Sequence, residues 1–167
     1  MSALIDRWML FWQDQFRGLE FQGLDDHSID EIIKAQSADR LPESFEAYLR
    51  VAGQACGRLW VGSDSHYPRI LTLKQSALSL AVETQVEIPA LNDAVVFLMH
   101  QGYVFLYVGT TGEDPPVMQF HESFAEPTQV ADSFSGFVVK SVKDLGCLLY
   151  TSPSPRDQRG SRMPSSA

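Results

Sequence analysis

The chain has 167 residues, 44% of them hydrophobic, with 13 Lys+Arg against 21 Asp+Glu and a net charge of −8 at pH 7. That balance excludes nucleic acid as the expected partner, because a protein that holds a polyanion presents Lys and Arg. The length suits one domain burying roughly two-thirds of the surface its unfolded chain exposes. Cys147 lies in a terminal segment set apart below, so Cys56 has no internal disulfide partner, which suits a reducing, cytoplasmic setting.

The first element is "ALIDRWMLFWQDQF". Leu4, Ile5, Trp8, Phe11, Trp12 and Phe16 fall at helical spacing, predicting an amphipathic helix over residues 3–17 laid on the core. Asp6, Arg7, Gln13 and Asp14 interrupt the run, which is far short of the ~20 apolar residues that span a bilayer. A helix lying on a membrane surface would carry more cations than Arg7 and Arg17, so no membrane partner is expected. "HSIDEIIKAQ" then offers Ser28 and Glu31 as a capping box, with Ile29, Ile32 and Ile33 as the buried stripe. In "RLPESFEAYLRVAG", Pro42 suits the first turn of a helix, Phe45, Tyr48 and Leu49 its inner face, and Gly53 its end. "GRLWVG" and "RILTL" are expected to be short strands, and "QSALSLAVETQ" a short helix.

"AVVFLMHQGYVFLYVG" is the strongest β signal: two apolar runs around His100-Gln101-Gly102, with glycine where a positive φ is expected. Both alternating sets of the second run, Tyr103/Phe105/Tyr107 and Val104/Leu106/Val108, are apolar. That places this strand centrally, covered on both faces. "TTGEDPP" reads as a turn and "VMQFHE" as a third antiparallel strand. A last helix is expected from Thr128 as N-cap through Val130, Ala131, Phe134, Phe137 and Val138. The fold class is therefore α+β: N-terminal helices, a central antiparallel meander and a C-terminal helix in one domain, residues 1–146.

The remaining 21 residues, "CLLYTSPSPRDQRGSRMPSSA", have neither helical nor strand periodicity. Cys147–Asp157 and Ser161–Ala167 match the translation of a transposon-type sequencing-library adapter, with Gln158, Arg159 and Gly160 in place of its variable index. Residues 147–167 are expected to be disordered, non-native read-through, with the natural chain followed to about Gly146 and its own C-terminus missing. Without Arg156, Arg159, Arg162 and Asp157 the remainder carries 10 basic and 20 acidic residues, net −10.

Four motifs in order, "RLPESFEAYL", "HQGYVFLYV", "EDPPV" and "ADSFSGFV", resemble the SUKH superfamily in its Smi/Knr-like branch. The matching positions are Leu41-Pro42, His100-Gln101-Gly102-Tyr103, Asp114-Pro115-Pro116-Val117 and Ser133-Phe134, within about residues 24–139. Lys34 departs from the Glu that many members carry before the Leu-Pro pair. The resemblance implies helices packed on one antiparallel sheet, with these residues as structural signature. It also implies a non-enzymatic bacterial immunity protein that binds and blocks a cognate secreted toxin, often a nuclease. Other branches imply the alternative, a housekeeping or regulatory interaction module.

Charge placement bears on the partner. From Gln75 to Val139 there is no Lys or Arg, while Glu83, Glu87, Asp93, Glu113, Asp114, Glu122, Glu126 and Asp132 are present. The first seven are expected to form an acidic face, gathered on one rim or adjoining rims of the sheet, that steers a basic toxin domain. The simpler alternative is a solvated surface that aids solubility. Cys56 with His66 or His100 raises a thiol hydrolase, and Asp64, His66, His121 and Glu122 raise a metal site. Neither set has the spacing of a catalytic or ligating motif, so no catalytic residue, metal or cofactor is expected. His100 is expected to bond loop backbone groups. Trp60 is assigned to the core, with a partner anchor at the sheet rim as its alternative.

Overall fold

The computed structural model describes residues 2–151, with side chains to Gly146. The first helix, α1 (Ala3–Gln15), starts where the Ser2 hydroxyl accepts the Ile5 amide. It buries Ile5 and Trp12, with Phe16 just beyond, and lies against α3 as a core helix. A two-stranded ribbon, β1 (Phe21–Gln22) with β2 (Ala55–Cys56), brackets α2 (Asp26–Ala35) and α3 (Glu43–Ala52). After β3 (Ser63–Asp64), a 3-10 turn (Arg69–Thr72) runs into α4 (Leu73–Thr84), and a second (Pro89–Asp93) leads into the sheet. The sheet continues through β4 (Ala94–His100), β5 (Val104–Gly109), β6 (Val117–His121) and β7 (Thr128–Ala131), before α5 (Phe134–Thr151).

The five strands are antiparallel in the order β3-β4-β5-β6-β7, so β5 is central as its two apolar faces require. The protein is thus an α+β fold with a C-terminal helix. That helix continues to Thr151, five residues past Gly146; residues 152–167, which the read-through assignment also covers, lie outside those described.

Several local expectations are corrected. "GRLWVG" is a chain of turns, because Gly57, Trp60 and Gly62 all take positive φ (54°, 56° and 89°), which a strand does not allow. "RILTL" forms the 3-10 turn and the start of α4; its apolar run is too short for periodicity to separate strand from helix. Asp25, not Ser28, caps α2 by accepting the Ser28 amide at 2.9 Å, and Glu31 accepts the Tyr67 hydroxyl instead of reaching back. Pro42 stands at the N-cap of α3, one position earlier than expected. Gly53 ends α3 at φ −66°, so its role is packing: a Cβ there would lie 2.7 Å from the Leu49 carbonyl oxygen. Thr128–Ala131 pair with β6 as an edge strand, and capping passes to Ser133, whose Oγ accepts the Gly136 amide at 3.0 Å.

The core is strongly aromatic. Phe134, at the first turn of α5, meets Phe45 at 5.1 Å, Phe97 at 5.3 Å, Tyr48 at 5.5 Å and Trp12 at 5.9 Å between ring centroids, mostly edge to face. Such pairs add about 0.5–1.5 kcal/mol each beyond buried area. Phe97 reaches this cluster from β4 at an irregularity, the register shifting between Val96 and Leu98.

That irregularity sits on an edge the sheet does not close. On the side away from β5, β4 pairs with β3 only at Met99 and His100. The gap is filled by side chains. Gln36, fully buried after α2, donates from Nε2 to the Val96 oxygen (2.8 Å) and the Ile70 oxygen (3.2 Å), and accepts the Val96 amide at 2.9 Å. Lys74, 6% exposed, donates from Nζ to the Ala94 oxygen (2.6 Å) and the Gln36 oxygen (3.1 Å). Burial lowers the Lys74 pKa from its ordinary value, and the nearby Asp93 carboxylate opposes the shift. Replacing Gln36 with Leu keeps most of the volume but strips Val96 of both partners. It is expected to cost about 2–5 kcal/mol, seen as a lower urea midpoint at unchanged m-value. An unchanged midpoint would show that this edge needs no capping.

Candidate functional site

The loops and helix ends that carry the acidic residues are sorted by strand register. Ala94 pairs with Gly109, Val108 with Val117, and Val117 with Ala131, which defines one end of the sheet. Asp93, Glu113, Asp114 and Asp132 adjoin that end. His100 pairs with Val104, and Val104 with His121, which defines the opposite end, where Glu122 and Glu126 lie in the β6–β7 loop. Glu83 joins this second group, lining a surface recess with Met99 and Gly102. The residues expected on one rim or adjoining rims thus fall largely into two groups at opposite ends, about 15–20 Å apart, because consecutive antiparallel connections alternate between the ends, while Glu87 lies beside the end of α4. All are exposed except Asp114, and none forms an ion pair among the described residues.

Asp114 does different work from the rest. Its carboxylate accepts the Ser135 amide at 2.9 Å through Oδ1 and the Ser135 hydroxyl through Oδ2, while the Pro115 oxygen accepts the Phe134 amide at 2.7 Å. Three free amides at the start of α5 are thus satisfied by Asp114, Pro115 and Ser133. Next to it, the Glu113 carboxylate accepts Trp8 Nε1 at 2.8 Å, and the Glu113 backbone oxygen accepts the Ser44 amide at 3.0 Å. Leu41 and Pro42 are buried beside that contact. Three of the four motifs therefore converge at one end of the sheet, where they tie α1, α3 and α5 together. Glu113 and Asp114, expected as part of a partner-facing acidic surface, instead make bonds that hold the fold together.

The fourth motif is at the opposite end. Gln101 and Gly102 both have positive φ (51° and 81°), and the Tyr103 amide bonds the His100 oxygen at 3.2 Å, the pattern of a type I′ turn. His100 does not bond loop backbone as expected; its Nδ1 pairs with Ser63 Oγ at 2.9 Å and so pins β3 to the hairpin. The Tyr103 ring lies between those of His100 (5.8 Å) and His121 (5.5 Å). Pro116 is exposed and Pro115 buried.

The residues weighed for chemistry are dispersed. Cys56 is buried in β2, where desolvation pushes its thiol up to about 12, leaving little thiolate at neutral pH. His66 has its pKa lowered by burial, and its Nδ1 pairs with the neighbouring Ser65 hydroxyl at 3.1 Å. Asp64 pairs with Arg69, and His121 stands three strands away on β6. Among the described residues, no three His, Cys, Asp or Glu gather in a way that would hold a metal ion, and no helix is long and apolar enough to cross a membrane. Trp60 packs against Tyr48 and Phe97 at 5.8 Å each and Phe137 at 5.9 Å, within the aromatic cluster.

Two residues of structural weight escaped the sequence reading. Lys74 falls on the same helical face as Ala77 and Ala81, a spacing that marks it as inward-facing. Gln36 continues the buried stripe of α2, four residues after Ile32 and seven after Ile29, but its partner Val96, 60 residues away, is not readable from that spacing.

Two measurements test these placements. Asp114→Ala is expected to cost about 1–2 kcal/mol of stability through the lost cap, whereas Glu122→Lys with Glu126→Lys should stay within about 0.5 kcal/mol, both by chemical denaturation. Because the folded-state thiol pKa of Cys56 lies above its ordinary 9.0, its contribution is complete below pH 9 and lost as pH rises toward 12. The stability gap between the wild type and Cys56→Ala should therefore narrow by up to about 1.4 kcal/mol per pH unit above pH 9. A gap that stays constant to pH 11 would contradict the assigned burial of the thiol.

No family model matches this sequence, and no curated protein matches it.

Proposed function

We propose that the protein is a non-enzymatic binding protein of the SUKH-like type, acting in the cytoplasm as an immunity protein that covers and blocks a basic toxin domain. The observation that supports this reading is the uncompensated acid of residues 75–139. Eight carboxylates project from loops and helix ends with no Lys or Arg in the same stretch, and none is spent on an ion pair among the described residues. Such a field attracts a cationic surface, and a nuclease presents one because its substrate is a polyanion. Glu113 and Asp114 serve the fold, which leaves Glu83, Glu87, Asp93, Glu122 and Glu126 to face a partner.

The experiment takes as ligand the C-terminal domain of any secreted protein found to be encoded beside this gene, and follows association by stopped-flow fluorescence. Glu122→Lys with Glu126→Lys is expected to slow association by about tenfold at low salt and to flatten its salt dependence. Rates and salt slopes that match the wild type would reduce the acidic surface to a solubility device. A locus with no such neighbour would favour the regulatory module.

A further inference from the structure

The amphipathic pattern of α4 is not exhausted by the core. Leu73, Ala77, Leu80 and Ala81 face inward, yet Leu78 and Val82 form a second apolar row on the outer side, 37% and 77% exposed. The chain then doubles back beside that row. Gln85 takes a left-handed φ of 59°, its amide bonds the Val82 oxygen at 3.1 Å, and the Val86 amide bonds the Ala81 oxygen at 3.0 Å. This is a Schellman-type stop, which sets Val86 against the end of the helix. Between the outer row and the returning segment lies a groove of about 600 Å³ walled by Leu78, Ala81, Val82, Val86, Ile88 and Leu91. Its backbone is held by hydrogen bonds, so the groove is preformed.

The one charged residue lining it is acidic. Glu87 lines the groove, and Glu83 and Asp93 stand at the two ends of the segment that forms it. The nearest cation in sequence, Lys74, is turned to the opposite, buried side of α4. A second copy of this chain is a poor occupant, because a two-fold contact centred on the groove would bring Glu87 toward its own counterpart. An apolar row set in acid instead complements an apolar row set in cations.

We propose that the groove between the outer face of α4 and residues Val86–Asn92 is a docking site for a basic amphipathic helix of a protein partner. This rests on the binding-protein reading and adds where the partner seats and what it presents: apolar residues at i, i+3, i+4 and i+7, flanked by Lys or Arg. The apolar row governs how long the complex lasts, while the carboxylates govern how fast it forms.

The test uses the full chain, isotopically labelled, titrated with a designed helical peptide carrying Leu at those four positions and Lys elsewhere. Its control replaces every Lys with Glu. Amide shifts are expected to concentrate in residues 78–92, with affinity falling about tenfold or more in Leu78→Ser with Val82→Ser. Both sites are surface positions, and thermal melts of the variant confirm that it folds. Affinity should also fall as salt is raised from about 50 to about 300 mM. Equal binding of the acidic peptide, shifts centred elsewhere, or shifts in 78–92 that appear with protein concentration alone would each overturn the proposal. If the adjacent gene product binds and its footprint misses residues 78–92, the groove assignment fails while the binding function stands. If only the Lys peptide binds, at the groove, the docking site stands and the toxin reading falls.

Discussion

The structure depends on closing the unpaired edge of β4. This strand is buried along nearly its whole length, yet over Ala94–Leu98 it has a strand neighbour only at β5. A buried amide or carbonyl without a partner costs about 1–3 kcal/mol, and water does not reach this edge to supply one. Gln36 and Lys74 supply it. The Gln36 side-chain amide acts on Val96 as a strand neighbour would, giving and receiving one bond each. Lys74 binds both Ala94 and the Gln36 backbone, so the end of α2, the start of α4 and the start of β4 share one buried polar knot. The irregularity at Val96–Leu98 belongs to the same arrangement, and beside it Phe97 enters the aromatic cluster.

The far ends of the sheet are built for different purposes. At the Asp93 end, the Glu113–Pro115 loop is tied to α1 through Trp8, to α3 through Ser44 and to α5 through Phe134 and Ser135. Its carboxylates are partly consumed as hydrogen-bond acceptors. At the hairpin end, Glu122 and Glu126 make no side-chain hydrogen bond among the described residues, and the connection is a tight turn beside a short edge strand. Fold stability therefore concentrates at one end, and unspent charge at the other and along α4.

The same division explains why the outer face of α4 stands out. A helix that needed only to cover the sheet would place polar residues at Leu78 and Val82. Val82 is 77% exposed and Leu78 37%, so Val82 buries little and only part of Leu78 is covered. With a preformed turn beside them and carboxylates around them, they make a surface with a definite chemical preference.

Wherever side-chain period and turn chemistry act within one segment, the sequence alone was sufficient. The α1 stripe, the His100–Tyr103 hairpin, the central place of β5 and the α+β class all follow from neighbours a few residues apart. Tertiary structure decided what depends on long-range partners. Thr128–Ala131 became a strand because β6 offered its edge, and positive φ at Trp60 turned an apolar run into a loop. Gln36 became structural through Val96, and Asp114 passed from surface charge to helix cap through Ser135. The acidic residues were legible as a composition but not as a surface. Register and the alternation of antiparallel loops determine which end of a sheet a charge occupies, and neither is written in the spacing of the charges themselves.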